Sequence, residues 1–307
     1  MKIHESQNLK LISDYKDNHE YRSSFNKLAG LVFGIDFELW YRAGFWNERY
    51  LCCSYAADNK VVSNVSVNMM ELVVDGEIKK AVQIGTVMTH PDYRKKGLLA
   101  ALMNYALDKY CAGADLVYLF ANESAVDFYP AFGFEEAYEA SFELTPKQRD
   151  KNHTGLRKLD IDNHKDFSIL KRLAFNRTPV SNKLGVINDS HLIMFYCLSY
   201  YADNIYYSDG LDTALIYTIE NDGLYLYDIL SERTLTGGVE DGDNALSEMI
   251  CEQMHAGGAG KIIFMFTPDI ISAGIKRAYN QRDYKLLIKP GKCKITGEFN
   301  FPRLSHA

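Results

Sequence analysis

Val87-Met88-Thr89-His90-Pro91-Asp92-Tyr93-Arg94-Lys95-Lys96-Gly97-Leu98-Leu99 is the stretch that decides the fold of this 307-residue chain. It begins as the end of a strand, breaks at Pro91, and resumes as a helix whose apolar stripe is Leu98, Leu102, Tyr105 and Ala106, running to Tyr110. A turn rich in backbone N–H groups that feeds a helix N-terminus offers oriented donors and partial positive charge to a pyrophosphate. Gly97 lets the backbone approach such oxygens with no Cβ in the way. Arg94, Lys95 and Lys96 add a cationic cluster to a chain of net charge −6. Taken alone, the segment also reads as a solvated turn capping a helix.

Upstream the period is two. Residues 50–56, 61–74 and 81–89 read as antiparallel strands, joined by the turn Ala57-Asp58-Asn59-Lys60 and by Asp75-Gly76, a strong hairpin signal. Before them, residues 23–46 read as helix-forming around Gly34. Downstream, residues 116–121 form an unbroken apolar run typical of a strand buried on both faces. Residues 124–129 can form a short helix that Pro130 interrupts, and Phe132-Gly133-Phe134 opens a last strand.

A charged, Pro- and Gly-containing stretch from 145 to 158 reads as a linker, after which the order repeats less clearly. Helices are expected at 169–174, 193–200, 245–255 and 272–279, and strands at 214–218, 225–230 and 261–267. The chain therefore reads as α/β (α+β) with two copies of one fold, each a mixed, mostly antiparallel sheet flanked by helices. The expected division is 1–145, a linker at 146–158, and a degenerate second copy at 159–307.

A composition 47% hydrophobic and 24% charged is that of an ordinary globular protein. The acidic balance argues against a nucleic-acid binder and suits a cationic or amine substrate. No run approaches the ~18 apolar residues needed to span a bilayer, so a cytoplasmic location without membrane association is expected. None of the six cysteines forms a Cys-x-x-Cys pair, and free thiols rather than metal ligands are expected.

The second chemical segment is Asn122-Glu123-Ser124-Ala125-Val126-Asp127-Phe128-Tyr129, followed by Phe132-Gly133-Phe134. Together with the stretch from Val87 to Leu99 it resembles the GNAT N-acetyltransferases. That family's loop pattern ends in Gly or Ala where this chain has Leu99. The resemblance implies acetyl-CoA as cosubstrate, no metal, and direct attack of a primary amine on the thioester. It implies that Val87, Met88 and Thr89 pair with the pantetheine arm and polarise the carbonyl, that Arg94, Lys95, Lys96, Gly97, Leu98 and Leu99 hold the pyrophosphate, and that Asn122 reaches the pantetheine. Tyr129 becomes the general acid, with packing among Phe128, Phe132 and Phe134 as the other reading. The strand 81–89 holds no carboxylate; His90 reads equally as a base or a turn residue, and the base stays unassigned.

Within the superfamily, Arg94 to Leu99 and Phe128 to Phe134 look most like the enhanced-intracellular-survival (Eis) branch, whose tandem folds bind cofactor only in the first. The acidic loop 237–243 agrees with a silent second copy. The branch commonly adds a sterol-carrier-like domain, which a chain of this length does not include, and it is thought to use a terminal carboxylate as base, a role that would fall to Ala307. Asp36, Trp40, Tyr41 and Trp46 are the expected acceptor-binding residues, with Phe37 and Phe45 beside them; an ordinary amphipathic helix face is the alternative. The second copy is expected to support dimerisation or to close the acceptor site, where Tyr196, Tyr200, Tyr201, Tyr206 and Tyr207 could line a pocket. A small-molecule amine is the leading acceptor. A protein lysine or N-terminus, or acyl-CoA binding without catalysis, are the alternatives.

Overall fold

A computed structural model describes residues 9–146, 155–234, 243–269, 275–278 and 283–307. Strand β1 (Leu9–Ser13) and helices α1 (His19–Phe33) and α2 (Glu38–Arg42) lead into three long strands, β2 (Tyr50–Ala57), β3 (Lys60–Val74) and β4 (Glu77–Thr89). Helix α3 (Leu98–Ala106) follows, then β5 (Leu116–Asn122), a 3₁₀ segment Val126–Phe132, β6 (Glu135–Ala137) and β7 (Ser141–Leu144). The second part runs through β8 (Leu156–Lys158), α4 (His164–Asn176), β9 (Leu184–Ile187), α5 (Ser190–Ser199), β10 (Ile205–Ser208), β11 (Thr213–Glu220) and β12 (Gly223–Ser231). It closes with α6 (Asp243–Ala256), β13 (Lys261–Phe264), β14 (Ile275–Ala278), β15 (Tyr284–Lys289) and a 3₁₀ turn Arg303–Ser305.

Local chemistry explains the joints. Asp75 (φ 50) and Gly76 (φ 80) both take positive φ, as do Asp58 (φ 47) and Asn59 (φ 61), which is what a two-residue hairpin turn requires. Asn18 caps α1 by accepting from the Tyr21 amide, and Gly34 (φ 71) ends it in the left-handed region. The helix expected across 23–46 is therefore two helices. The helix expected at 124–129 is a 3₁₀ segment that begins at Val126 and carries Pro130 inside it. The helix expected at 272–279 is not one where it is described: Ile275–Ala278 is a strand, drawn into register with β7 from Ile275↔Leu144 to Ala278↔Ser141. Ile275 is β-branched, but Lys276, Arg277 and Ala278 are good helix formers, so it is pairing with the edge of β7 rather than local preference that makes this segment a strand.

The first sheet runs β1-β2-β3-β4-β5-β15-β6, with β9 on the stretch of β3 that β2 leaves uncovered. The second runs β14-β7-β13-β12-β11-β10-β8. The strands do not follow the division at 145 and 159. β15 crosses from the second part to cover β5 along its length, and β7 crosses from the first to cover β13. Each exchange pairs an edge that would otherwise be bare.

The first sheet has two dissimilar faces. Val82, Ile84, Val117 and Leu119 pack beneath α3 with Leu102 and Met103. On the other face Phe25, Phe37, Trp40, Trp46 and Tyr50 meet Phe195 and Met194 from α5. Cys52 and Cys53 alternate between these two cores, as neighbours on a strand must. Trp40 Nε1 donates to the His191 carbonyl (2.7 Å), and a His191 Nε2 to Asn68 Oδ1 bond (2.8 Å) ties α5 to β3. Among the described residues, no helix is long and apolar enough to cross a membrane.

Candidate active site

The phosphate-loop candidate begins where β4 ends. Lys95 (φ 59) and Gly97 (φ 79) turn the chain through the left-handed region and into α3. No side chain caps α3, whereas Asn18 and Asn163 cap α1 and α4. The first-turn N–H groups of α3 are left for an external acceptor. Arg94, Lys95 and Lys96 are exposed around them, Arg94 braced by donating to the Thr89 carbonyl (3.3 Å) and Lys96 lying 4.7 Å from the Tyr93 ring centroid. Leu98 is buried against Ala57 and Val62, and Leu99 packs half-buried on the α3 core. A bulky side chain is accommodated there because it turns inward, away from the loop's N–H groups.

Next to this loop β4 parts from β5. The two run parallel from Ala81↔Leu116 to Ile84↔Leu119, and no pairing follows. Thr86 (φ 44) sits in an irregularity where β3 residues Asn64 and Ser66 face Met88 and Gly85. Such a bulge bends a strand away from its neighbour. A wedge therefore opens between residues 85–89 and the end of β5, the place where an extended pantetheine could add to the sheet edge. Val87 is half-buried, Met88 is buried against the aromatic core, and buried Thr89 bonds Ser63 Oγ (2.8 Å).

Asn122 ends β5, exposed, with Oδ1 accepting from Ser124 Oγ (2.9 Å). Tyr129 is buried on the α3 face among Phe128, Phe134 and Ile84, so the packing reading and the functional one describe the same ring. Its hydroxyl has no hydrogen-bond partner among the described residues, and burial pushes its pKa up to about 12. His90 accepts the Asp92 amide through Nδ1 (3.4 Å) and starts the turn.

On the other face of β4 lies a cavity of about 380 Å³. Phe37, Trp40, Tyr50 and Thr86 line it from the first part, and Leu192, Phe195, Tyr196, Tyr200 and Tyr201 line it from α5 and its C-terminal end. Arg303, His306 and Ala307 complete the wall. Of the four acceptor candidates, Trp40 lines it and the other three do not. Asp36 is exposed and accepts the Glu38 amide at the start of α2 (2.7 Å). Tyr41 stacks under the Arg22 guanidinium (3.6 Å to the ring) and donates to Asp17 (3.1 Å). Trp46 is core, stacked on Trp40 and donating to the Tyr50 carbonyl (3.1 Å). Of the five tyrosines of the second part, three line the cavity; Tyr206 stacks on Tyr217 and Tyr207 donates to Asp212 (2.6 Å).

Sequence reading reached Ala307 only through the family resemblance and did not foresee the path by which the last residues arrive. Phe301 stacks on Tyr118, and His306 lies flat on Phe120 (3.5 Å between centroids). Ser305 Oγ donates to Asp189, one of two carboxylates that hold buried Arg177. Tyr196 donates to the His306 carbonyl (3.1 Å). So guided, Ala307 reaches Gly85, where an added Cβ would stand 2.7 Å from its carbonyl oxygen. Only a glycine permits that approach. Apart from that resemblance, the aromatic Phe-Asn-Phe at 299–301 was the sign in the residues themselves that this segment is buried.

Residues 16–137 match the family profile of the acetyltransferase (GNAT) domain. Among the curated proteins none matches the sequence. Among solved structures, a probable N-acyltransferase from Enterococcus faecalis superposes with a TM-score of 0.57 at 16% identity, over 92% of this chain and 71% of that one. A GCN5-related N-acetyltransferase from Kribbella flavida gives 0.57 at 13% identity over 92% and 71%, and Eis1 from Mycobacterium abscessus gives 0.56 at 14% over 91% and 73%. The acidic loop up to residue 242 and most of the expected linker lie outside the described residues, and Asp243 begins α6. The uncapped helix and the splayed strands both fall within residues 16–137, the stretch that matches the acetyltransferase (GNAT) domain profile.

Proposed function

We propose that the chain transfers the acetyl group of acetyl-CoA to the primary amine of a small molecule bound in the cavity beside Gly85. The observation that carries this reading is the continuity of three features: an uncapped α3 N-terminus, a wedge between β4 and β5, and a cavity against the same strand. In this reading the N–H groups of the turn 94–99, with Arg94, Lys95 and Lys96, neutralise the pyrophosphate. Backbone groups of Val87, Met88 and Thr89 hold the pantetheine amides and the thioester oxygen, and Asn122 contributes from the far side of the wedge.

The amine nitrogen attacks the acetyl carbon, an N–C bond forms, the C–S bond breaks, and the thiolate departs with the electron pair. Tyr129 is the group beneath the wedge. With its pKa pushed up to about 12 by burial, it is a hydrogen-bond donor at neutral pH. Full transfer to a thiolate of ordinary acidity is uphill by roughly 5 kcal/mol, so its contribution is donation to the developing charge. The proton lost by the ammonium needs an acceptor on the cavity side. A carboxylate at the Ala307 carbonyl position would be such a group, because it lies against Gly85 and at the cavity wall.

The volume of about 380 Å³ and the aromatic walls of the cavity favour a small molecule over a protein lysine. Release of free CoA thiol across a panel of amines tests the proposal. Tyr129→Phe is expected to lower kcat by about 10- to 100-fold, the value of a hydrogen bond to a charge, and to change acetyl-CoA affinity by less than about threefold. Equal loss in both would remove Tyr129 from the chemistry, and no amine-dependent release from the wild type would leave an acyl-CoA binder.

A further inference from the structure

We infer that the acceptor is an amine that also carries a carboxylate on a compact apolar or aromatic body, and that Arg303 receives that carboxylate. The inference rests on the acetyl-transfer reading for the fate of the amine. The charge of the pocket itself comes from the structure alone.

No aspartate or glutamate lines the cavity. The acids nearest in sequence to its helical wall are already engaged: Glu38 binds Arg22 and Arg42, and Asp36 faces the α2 amides. A polycation entering here would shed water from several charges and meet aromatic rings and a guanidinium, with no side-chain anion in return. Arg303 shows the converse. Among the described residues, every other buried or half-buried arginine has a carboxylate: Arg22 has Glu38, Arg49 has Glu71, Arg157 has Asp166, Arg172 has Asp212, and Arg177 has both Asp189 and Asp228. Arg303 has none among the described residues; its guanidinium lies 4.6 Å from the Tyr284 ring centroid and 3.2 Å from His306 Nδ1.

Its position is fixed from behind. The Arg303 amide donates to the Met265 carbonyl (2.9 Å), and Ser305 is tied to Asp189 (2.7 Å). These bonds fix the backbone at Arg303, while the guanidinium itself rests against Tyr284 and His306, and its planar fork is suited to a carboxylate. The remaining walls are Phe37, Trp40, Phe195 and Tyr200, which suit a ring or short hydrocarbon and set a size limit with the 380 Å³ volume.

The test uses the full chain and matched acceptors: 4-(aminomethyl)benzoate, its methyl ester, benzylamine, and spermidine as the polycation. Thiol release gives kcat/KM for each, and calorimetry with CoA present gives binding without turnover. The carboxylate is expected to be preferred over its ester by about 10- to 100-fold, carried mainly by KM. Arg303→Gln is expected to bring that preference below about threefold, and Arg303→Lys to keep part of it. Spermidine used better than the benzoate, or a preference that survives Arg303→Gln, would overturn the inference while leaving acetyl transfer standing. Carboxylate-selective binding that depends on Arg303, with no thiol release from any amine, would support the pocket assignment and sink the transferase reading instead.

Discussion

In both sheets a long strand runs parallel to its neighbour for four residue pairs and then parts from it, β4 from β5 after Ile84 and β12 from β13 after Leu226. Both departures adjoin a bulge, opposite Asn64 and Ser66 in one and at Ile216 and Tyr217 in the other. Only the first wedge is left open. The second is filled by the chain itself: Arg303 donates to the Met265 carbonyl (2.9 Å), Asn300 Nδ2 to the Phe264 carbonyl (3.2 Å), and Arg177 to Asp228 (2.9 and 3.0 Å). A splayed parallel pair is therefore a property of the fold. Whether it can take a cosubstrate depends on what else the chain puts there, and here the filling of one wedge carries the last residues to the cavity of the other.

The strongest way to break this comparison is to unplug the second wedge. Arg177→Met leaves Asp189 and Asp228 as buried carboxylates without their cation, and is expected to cost about 3 to 5 kcal/mol in urea unfolding. It should also lower turnover, because Asp189, the acceptor of Ser305, loses the guanidinium that positions it. Normal stability in this variant would mean that the plug is not what holds the second wedge shut.

The junction between the two sheets should titrate. Burial lowers the His191 pKa to about 4. The unfolded chain binds this proton below about 6.5 while the folded chain does not until about 4, so stability is full above that window and is lost as pH falls through it, by about 3 kcal/mol. The stability difference between wild type and His191→Gln should therefore grow as pH rises from 4 to 6.5. A flat difference would mean that His191 is protonated in the fold.

The smallest effect sharpens the comparison at the open wedge. Calorimetry is expected to give one acetyl-CoA per chain, weakened about tenfold by Gly97→Ala, since a Cβ at φ 79 is strained by roughly 1 to 2 kcal/mol. Two equivalent sites per chain would end the distinction between the wedges.

What the sequence revealed was local. The Asp75-Gly76 turn, the switch from period two to helical period at Pro91, and Gly97 before an apolar stripe each follow from nearest-neighbour chemistry, and each has its counterpart in the structure. What it hid was long-range. Residues 275–278 carry no alternation strong enough to announce a strand, because their partner β7 supplies the reason. Asp36 looked like an acceptor-site acid because an acid among aromatics reads that way, yet its carboxylate is spent on the α2 amides. Arg303 lies more than 200 residues from β4 in the chain, and beside the resemblance that pointed to Ala307 only Phe299 and Phe301 hinted that this segment turns inward.

The exchange of β7 and β15 has a consequence for how the molecule comes into being. β5 leaves the ribosome long before β15, which must cover it, and β7 waits equally long for β13. Neither sheet can close until almost the whole chain has been synthesised, so folding is late and slow by the measure of its sequence separations. Until then β5 carries a bare apolar edge, the kind of surface that recruits chaperones or other copies of itself. Residues 1–145 produced alone would keep that edge permanently, so the stretch that matches the acetyltransferase profile is not a unit of folding by itself.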